Sequence, residues 1–168
     1  MKITLHKSDY DRILDAAVKN LPEEACGLIA GTEERSLEDA GSGASGQKGH
    51  SEDGADPKKG TAAVRHIEKV YLLTNVDHSN EHFTMDPKEQ LEAVKDMRAH
   101  GLKPLGNWHS HPESPSRPSA EDIRLSFDIH ATYMILSLMD RENPVLKAFH
   151  TDKAAGNYAA EDLVILPD

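Results

Sequence analysis

The sequence predicts a mixed α/β domain of the α+β kind, a mostly antiparallel sheet flanked by helices. Three observations predict it. Short apolar runs bounded by turn residues recur along the chain. Two stretches carry apolar residues at helical spacing. Two strand patterns late in the chain, Tyr133 to Met139 and Val145 to Thr151, read as paired neighbours.

Lys2 to Leu5 alternates like a short strand, and Ser8 with Asp11 resembles a capping box opening a helix with Ile13, Leu14, Ala17 and Val18 on one face. Leu21-Pro22 ends that helix. Glu24 to Gly31 is an apolar run read as a buried strand with Glu24 at its entrance. From Glu38 to Ala63 the chain has no large apolar or aromatic residue, so a disordered insertion is expected at about 32–63 within one domain spanning 1–168. Val64 to Val76 returns to a strand pattern. Asp86-Pro87 opens a second helix with Leu91, Val94 and Met97 on one stripe, closed by Gly101. Residues 104 to 111 read as a strand. A helix is expected from Ser119 to roughly Ile129 with Ile123, Leu125 and Phe127 partly buried, and Leu163 to Leu166 forms a last edge strand.

The 168 residues carry a formal net charge of -10, which leaves no basic footprint for nucleic acid or an anionic membrane. No apolar run approaches membrane-spanning length, and the polar start is unlike a signal peptide, so a cytoplasmic location is expected. The single cysteine, Cys26, forms no internal disulfide and excludes a cysteine-rich metal site. It reads as a small buried hydrophobe.

His109 and His111 on a strand project to the same side and can share one ion, and Asp122 in the first turn of a helix starting at Ser119 can close a set of three ligands. Zinc held this way keeps a fourth position for water and lowers that water's pKa. A second carboxylate must then move the proton, and Glu24 at a strand entrance is the candidate, with Glu23 as its neighbouring alternative. Ser119, three residues before Asp122, is placed to donate to the negative oxygen of a tetrahedral intermediate. These roles describe amide-bond hydrolysis.

His109-Ser110-His111-Pro112, the bend to Pro118, then Ser119 and Asp122, with Glu24 in Pro22-Glu23-Glu24-Ala25-Cys26-Gly27, resembles the signature of the JAMM (MPN-plus) zinc metalloproteases. Asn75 to Pro87 looks like the small prokaryotic members. The resemblance implies a cytidine-deaminase-like domain, zinc on His109, His111 and Asp122, Glu24 as acid and base, and Ser119 at the oxyanion. It also implies a substrate: the bond following the glycine-rich C-terminal tail of a ubiquitin-like or sulfur-carrier protein, the tail entering as an added strand. Trp108, where a smaller residue or tyrosine is common, and the long segment after Gly31 depart from the pattern.

A lone His-x-His is a weak signal and Ser-x-x-Asp is usually only a cap; the combination carries the reading. A non-catalytic scaffold or protein-binding module of the same fold is the second reading, and the complete ligand set argues against it. A zinc deaminase needs a Cys-x-x-Cys pair that one cysteine cannot supply. His78 and His82, in polar company, read as solvated loop residues. Phe83, Met85 and Trp108 read as core, with Phe83 and Met85 bordering a groove if the resemblance holds.

Overall fold

The computed structural model describes residues 1–37 and 61–168. Eight strands, β1 (Lys2–His6), β2 (Cys26–Leu37), β3 (Thr61–Leu73), β4 (Lys103–His111), β5 (Thr132–Ser137), β6 (Val145–Asp152), β7 (Asn157–Ala160) and β8 (Asp162–Leu166), form one sheet. Its order is β7-β6-β5-β4-β2-β3-β1-β8. The β2/β3, β2/β4, β5/β6 and β6/β7 pairs are antiparallel and the β1/β3, β1/β8 and β4/β5 pairs parallel, so the sheet is mostly antiparallel as expected. β7 and β8 stand at opposite ends of that order, yet only Glu161 separates them. The two ends must therefore meet within reach of a short stretch of backbone, and the sheet is curled. Glu161 N donates to Ala148 O of β6 at 2.8 Å and Asp162 N to Met1 O at 3.0 Å, which fastens the meeting point.

A curled sheet has an interior, and α1 (Lys7–Asn20) fills it. Ile13 and Ala17 have no accessible surface and join a core with Ile3, Ile29, Val70 and Trp108. On the other face α2 (Pro87–Ala99) packs Ala93 and Met97 against Ala30 of β2, with Leu28 and Tyr71 beside them. The alternation of Leu28, Ile29 and Ala30 between the two clusters is the period of two expected of a strand covered on both faces.

Asp86 caps α2 as predicted, accepting from Lys88 N and Glu89 N, and Gly101 closes it with φ +66°. The stripe differs: Leu91 is 55% exposed, and Ala93, small enough for close approach to the sheet, takes its place. The capping box expected from Ser8 and Asp11 does not form. β1 runs straight into α1 with His6 at the cap position, so Ser8 lies inside the first turn and donates instead to Asp168. Val18 is exposed as well.

At both ends of the segment expected to be disordered at 32–63 the chain is instead paired, Thr32 to Leu37 with Thr61 to His66 in the β2/β3 ladder. Residues 38–60 lie outside the described residues. The ladder carries a buried ion pair in place of apolar side chains. Arg65 Nε donates to Glu33 at 2.7 Å, and its Nη1 reaches Leu105 O at 3.2 Å and Thr132 Oγ1 at 2.9 Å, stitching four strands. The helix expected from Ser119 to Ile129 is the short α3 (Ala120–Arg124), after which Leu125 and Phe127 are 43% and 79% exposed. Strand β7, exposed throughout and without alternation, was not anticipated. No helix among the described residues is long and apolar enough to cross a membrane.

Trp108 is fully buried, and its indole N–H donates to Tyr71 O at 3.0 Å beside Gly27. A Cβ on Gly27 would stand 1.7 Å from Tyr71 O and 2.4 Å from Trp108 Nε1. Gly27→Ala is expected to lower stability by about 1–3 kcal/mol, the usual range for overpacking, measured by urea unfolding. Burial would raise the Glu33 carboxyl, but hydrogen bonds from Arg35 and Arg65 hold it at about 2 against an ordinary 4.5. A folded-state value below the unfolded one means that the stabilisation is present above pH 4.5 and lost as pH falls toward 2. The urea midpoint should drop across that window in the native sequence and flatten there in Glu33→Gln.

Candidate metal centre

β4 is an interior strand, paired to β2 through Cys26↔His109 and to β5 through His109↔Ile135 and His111↔Ser137. Pairing on both sides fixes its pleat, so Trp108 turns into the core while His109 and His111 turn together to the other face. Their Nε2 atoms lie 3.0 Å apart, both rings buried. Asp122 is the third residue of α3. Its backbone N–H donates to Ser119 Oγ at 3.0 Å, and its Oδ2 accepts from Ser119 N at 2.8 Å, a complete capping box. The same Oδ2 lies 3.3 Å from His109 Nε2 and 3.2 Å from His111 Nε2. The bend between the histidines and α3 is pinned to β5: Ser116 Oγ donates to Ile135 O, and Ser137 Oγ to Ser114 O, both at 2.6 Å. The bend in turn orients His111, whose Nδ1 lies 2.9 Å from Pro115 O.

Glu24 is 3% exposed. One donor atom each from Glu24, His109 and His111 fall within 4.8 Å of one another, a buried group that could hold a metal ion. Glu23, the neighbouring alternative, turns outward to His78 at 3.2 Å. The segment around Glu24 is fastened to β4 by Ser110, whose Oγ accepts from Ala25 N at 2.8 Å and whose N–H donates to Ala25 O at 2.9 Å. On the other side Glu24 N donates to Ser79 O, and Asn75 Nδ2 to Glu24 O at 3.1 Å.

Sequence reasoning passed over both Ser110 and Asn75. A small polar residue between two histidines, on the side of the strand facing the core, was the available signal for Ser110. Asn75 lay hidden in a run of polar loop residues, yet it is 4% exposed.

Four titratable groups share this pocket, and their charges oppose one another. Burial pushes the Glu24 carboxyl up to about 8, with the His111 charge acting against it. Burial also works to raise Asp122, but hydrogen bonds to both imidazoles outweigh it and hold that carboxyl far below the carboxylate range. His109 is lowered, burial being the leading cause; His111 experiences the same burial but is raised by Asp122, Pro115 O and Glu24. Glu24 Oε2 and His109 Nδ1 are buried with no hydrogen-bond partner among the described residues. An electron-rich cluster of this kind, with the buried Glu24 Oε2 unmet, suits a cation.

Beside the cluster opens a cleft of about 320 Å³ lined by Phe83, Met85, Leu125, Phe127 and Tyr133 together with His109 and Asp122. Phe83 stacks on His109, and Met85 is buried beneath, so the loop borders the groove as the resemblance implied. His82 pairs with Asp77 and His78 with Glu23, both imidazoles exposed, in keeping with the solvated reading. Cys26 is 1% exposed and its thiol is pushed up to about 12 by burial, in keeping with a small buried hydrophobe.

Residues 6–150 match the family model described as prokaryotic homologs of the JAB domain. The chain is 26% identical over 133 residues to a CysO-cysteine peptidase of Mycobacterium tuberculosis, covering 79% of this chain and 71% of that protein. It is 39% identical over 72 residues to a probable TtuB-protein conjugate cleaving protease of Thermus thermophilus, covering 40% of this chain and 49% of the relative. A solution structure of a Desulfitobacterium hafniense protein superposes with a TM-score of 0.74 at 40% identity, covering 99% of this chain and 94% of that one.

Ser110→Ala would leave the buried Ala25 N–H without its acceptor. The expected loss is about 1–3 kcal/mol in urea unfolding, the penalty of an unsatisfied buried donor.

Proposed function

Since the chain belongs to the prokaryotic JAB family, we propose that it is a zinc-dependent metallopeptidase. It hydrolyses the peptide or isopeptide bond that follows the C-terminal tail of a ubiquitin-like or sulfur-carrier protein. The observation carrying this reading is the triangle of His109 Nε2, His111 Nε2 and Asp122 Oδ2, with edges of 3.0, 3.2 and 3.3 Å. Two imidazole nitrogens and a carboxylate oxygen brought this close are the kind of donor set that would hold zinc and leave room for a further ligand. Zinc there would supply Lewis-acid polarisation of a carbonyl and a water made acidic enough to attack at neutral pH.

The remaining steps belong to side chains. Glu24, with Oε2 free of other partners among the described residues, takes as a carboxylate the proton from the attacking water and hands it to the leaving nitrogen; burial alone pushes its carboxyl up to about 8, and a cation beside it would favour the charged, proton-accepting form. Ser119 Oγ accepts from Asp122 N, which leaves its own proton available to the carbonyl oxygen as negative charge develops there. Phe83, Met85 and Tyr133 line the cleft beside the cluster, where the glycine-rich tail would lie. The names of the mycobacterial and Thermus relatives, a CysO-cysteine peptidase and a conjugate-cleaving protease, support the reaction class and the carrier-type substrate. A non-catalytic scaffold would have no use for three donors, an oriented cap and a buried carboxylate converging on one point.

The test is purification with metal analysis, followed by incubation with a β-grasp carrier bearing a C-terminal extension. About one zinc per chain is expected, with cleavage abolished by chelation and restored by zinc. Glu24→Gln should keep zinc and circular dichroism unchanged while turnover falls about 100- to 10,000-fold, the range for loss of a general base. Undiminished turnover in that variant removes Glu24 from the mechanism, and cleavage by the metal-free protein removes zinc.

A further inference from the structure

The two imidazoles of the centre are oriented by different means. His111 has a hydrogen-bonding partner for its second nitrogen, Pro115 O at 2.9 Å. His109 has none among the described residues, although its Nδ1 is buried. A histidine that binds metal through one nitrogen ordinarily donates the other N–H to an acceptor, and that bond sets both tautomer and ring plane. Against His109 lies the ring of Phe83, the centroids 4.6 Å apart and the planes inclined by 28°, within the range of a stacked pair.

Phe83 is itself held on both sides. The Asn75 carboxamide donates to His82 O and accepts from Thr84 N, the residues flanking Phe83, each at 3.1 Å. Its remaining bonds go to Glu24 O and Asp77 N, also at 3.1 Å. One buried amide, with its two donors and its oxygen all engaged, thus joins the backbone of Glu24 to the loop that presents Phe83.

We propose that Phe83 is the positioning residue for His109: its ring face, in place of a hydrogen-bond acceptor, sets the imidazole plane so that Nε2 points at His111 and Asp122, and Asn75 keeps Phe83 there. The proposal rests on the metal-centre reading above and deepens it. Because Phe83 also lines the cleft, a substrate packed against it presses on the ring that aligns the ligand.

The experiment compares Phe83→Leu, which keeps apolar bulk but loses the flat face, with Phe83→Tyr, which keeps both. Zinc affinity is measured by competition with a chelator, and the His109 ring protons are followed by NMR in the metal-free protein. Phe83→Leu is expected to weaken zinc about tenfold, at the lower end for loss of an orienting partner, with the unfolding midpoint of the metal-free protein unchanged. Phe83→Tyr should stay within twofold of the native sequence. The ring-current displacement of the His109 resonances should vanish in Phe83→Leu, with those of His111 unmoved. Zinc affinity within twofold of native in Phe83→Leu overturns the proposal, whatever happens to cleavage. A native protein that binds no zinc refutes the metal reading instead, and the His109 resonances still decide whether the stack exists. Phe83 is only partly buried, and Phe83→Met provides the same comparison should the leucine variant not fold.

Discussion

The structure depends on bringing two imidazoles and two carboxylates out of water into one pocket. Such groups are costly to bury unless each compensates another. Asp122 does so by accepting from both rings and from the Ser119 N–H, which keeps it ionised. Glu24 is not compensated in this way and is driven toward its neutral form. Two carboxylates in one pocket therefore differ in protonation because one is hydrogen-bonded and the other merely enclosed. The enclosure that disfavours the charge on Glu24 is the property that the acid–base role proposed for it draws on.

β4 makes the arrangement possible by belonging to two environments. Its core face carries Trp108, locked by the indole bond to Tyr71 O in the space left at Gly27. Its other face carries the imidazoles. A shift of one residue in register would exchange them, so the packing of the tryptophan also guards the aim of the histidines. Ser110, on the core side, adds the bond that draws the Glu24 segment alongside.

How much of this was legible follows from the range of each interaction. His109 and His111 were readable because strand alternation is local, and Asp122 because a cap pairs residues three apart. The meeting of Glu24 with the histidines depended on β2 pairing with β4, a distant contact that only the resemblance to a known family supplied. Asn75 stayed hidden, and the stacking of Phe83 on His109 with it, because those contacts come from partners on other elements. Leu91 and the overlong third helix show the converse: apolar periodicity fits a helix face, but the depth of packing and the turn after Arg124 are tertiary matters. The polar extension of the β2/β3 ladder was missed because backbone pairing and the Arg65–Glu33 bridge need no apolar pattern.

The donors also differ in how far apart they lie along the chain. His111 and Asp122 are separated by eleven residues, whereas the contact that fastens the Glu24 segment, Ala25 to Ser110, spans 85. By the logarithmic law of loop closure, the longer connection costs about 2 kcal/mol more entropy to form. An opening that peels the early strands from β4 would thus carry Glu24 away while leaving His109, His111 and Asp122, joined by a single strand-to-helix crossover, together. Glu24 and the other three members of the cluster are consequently separable by partial unfolding of the same polypeptide.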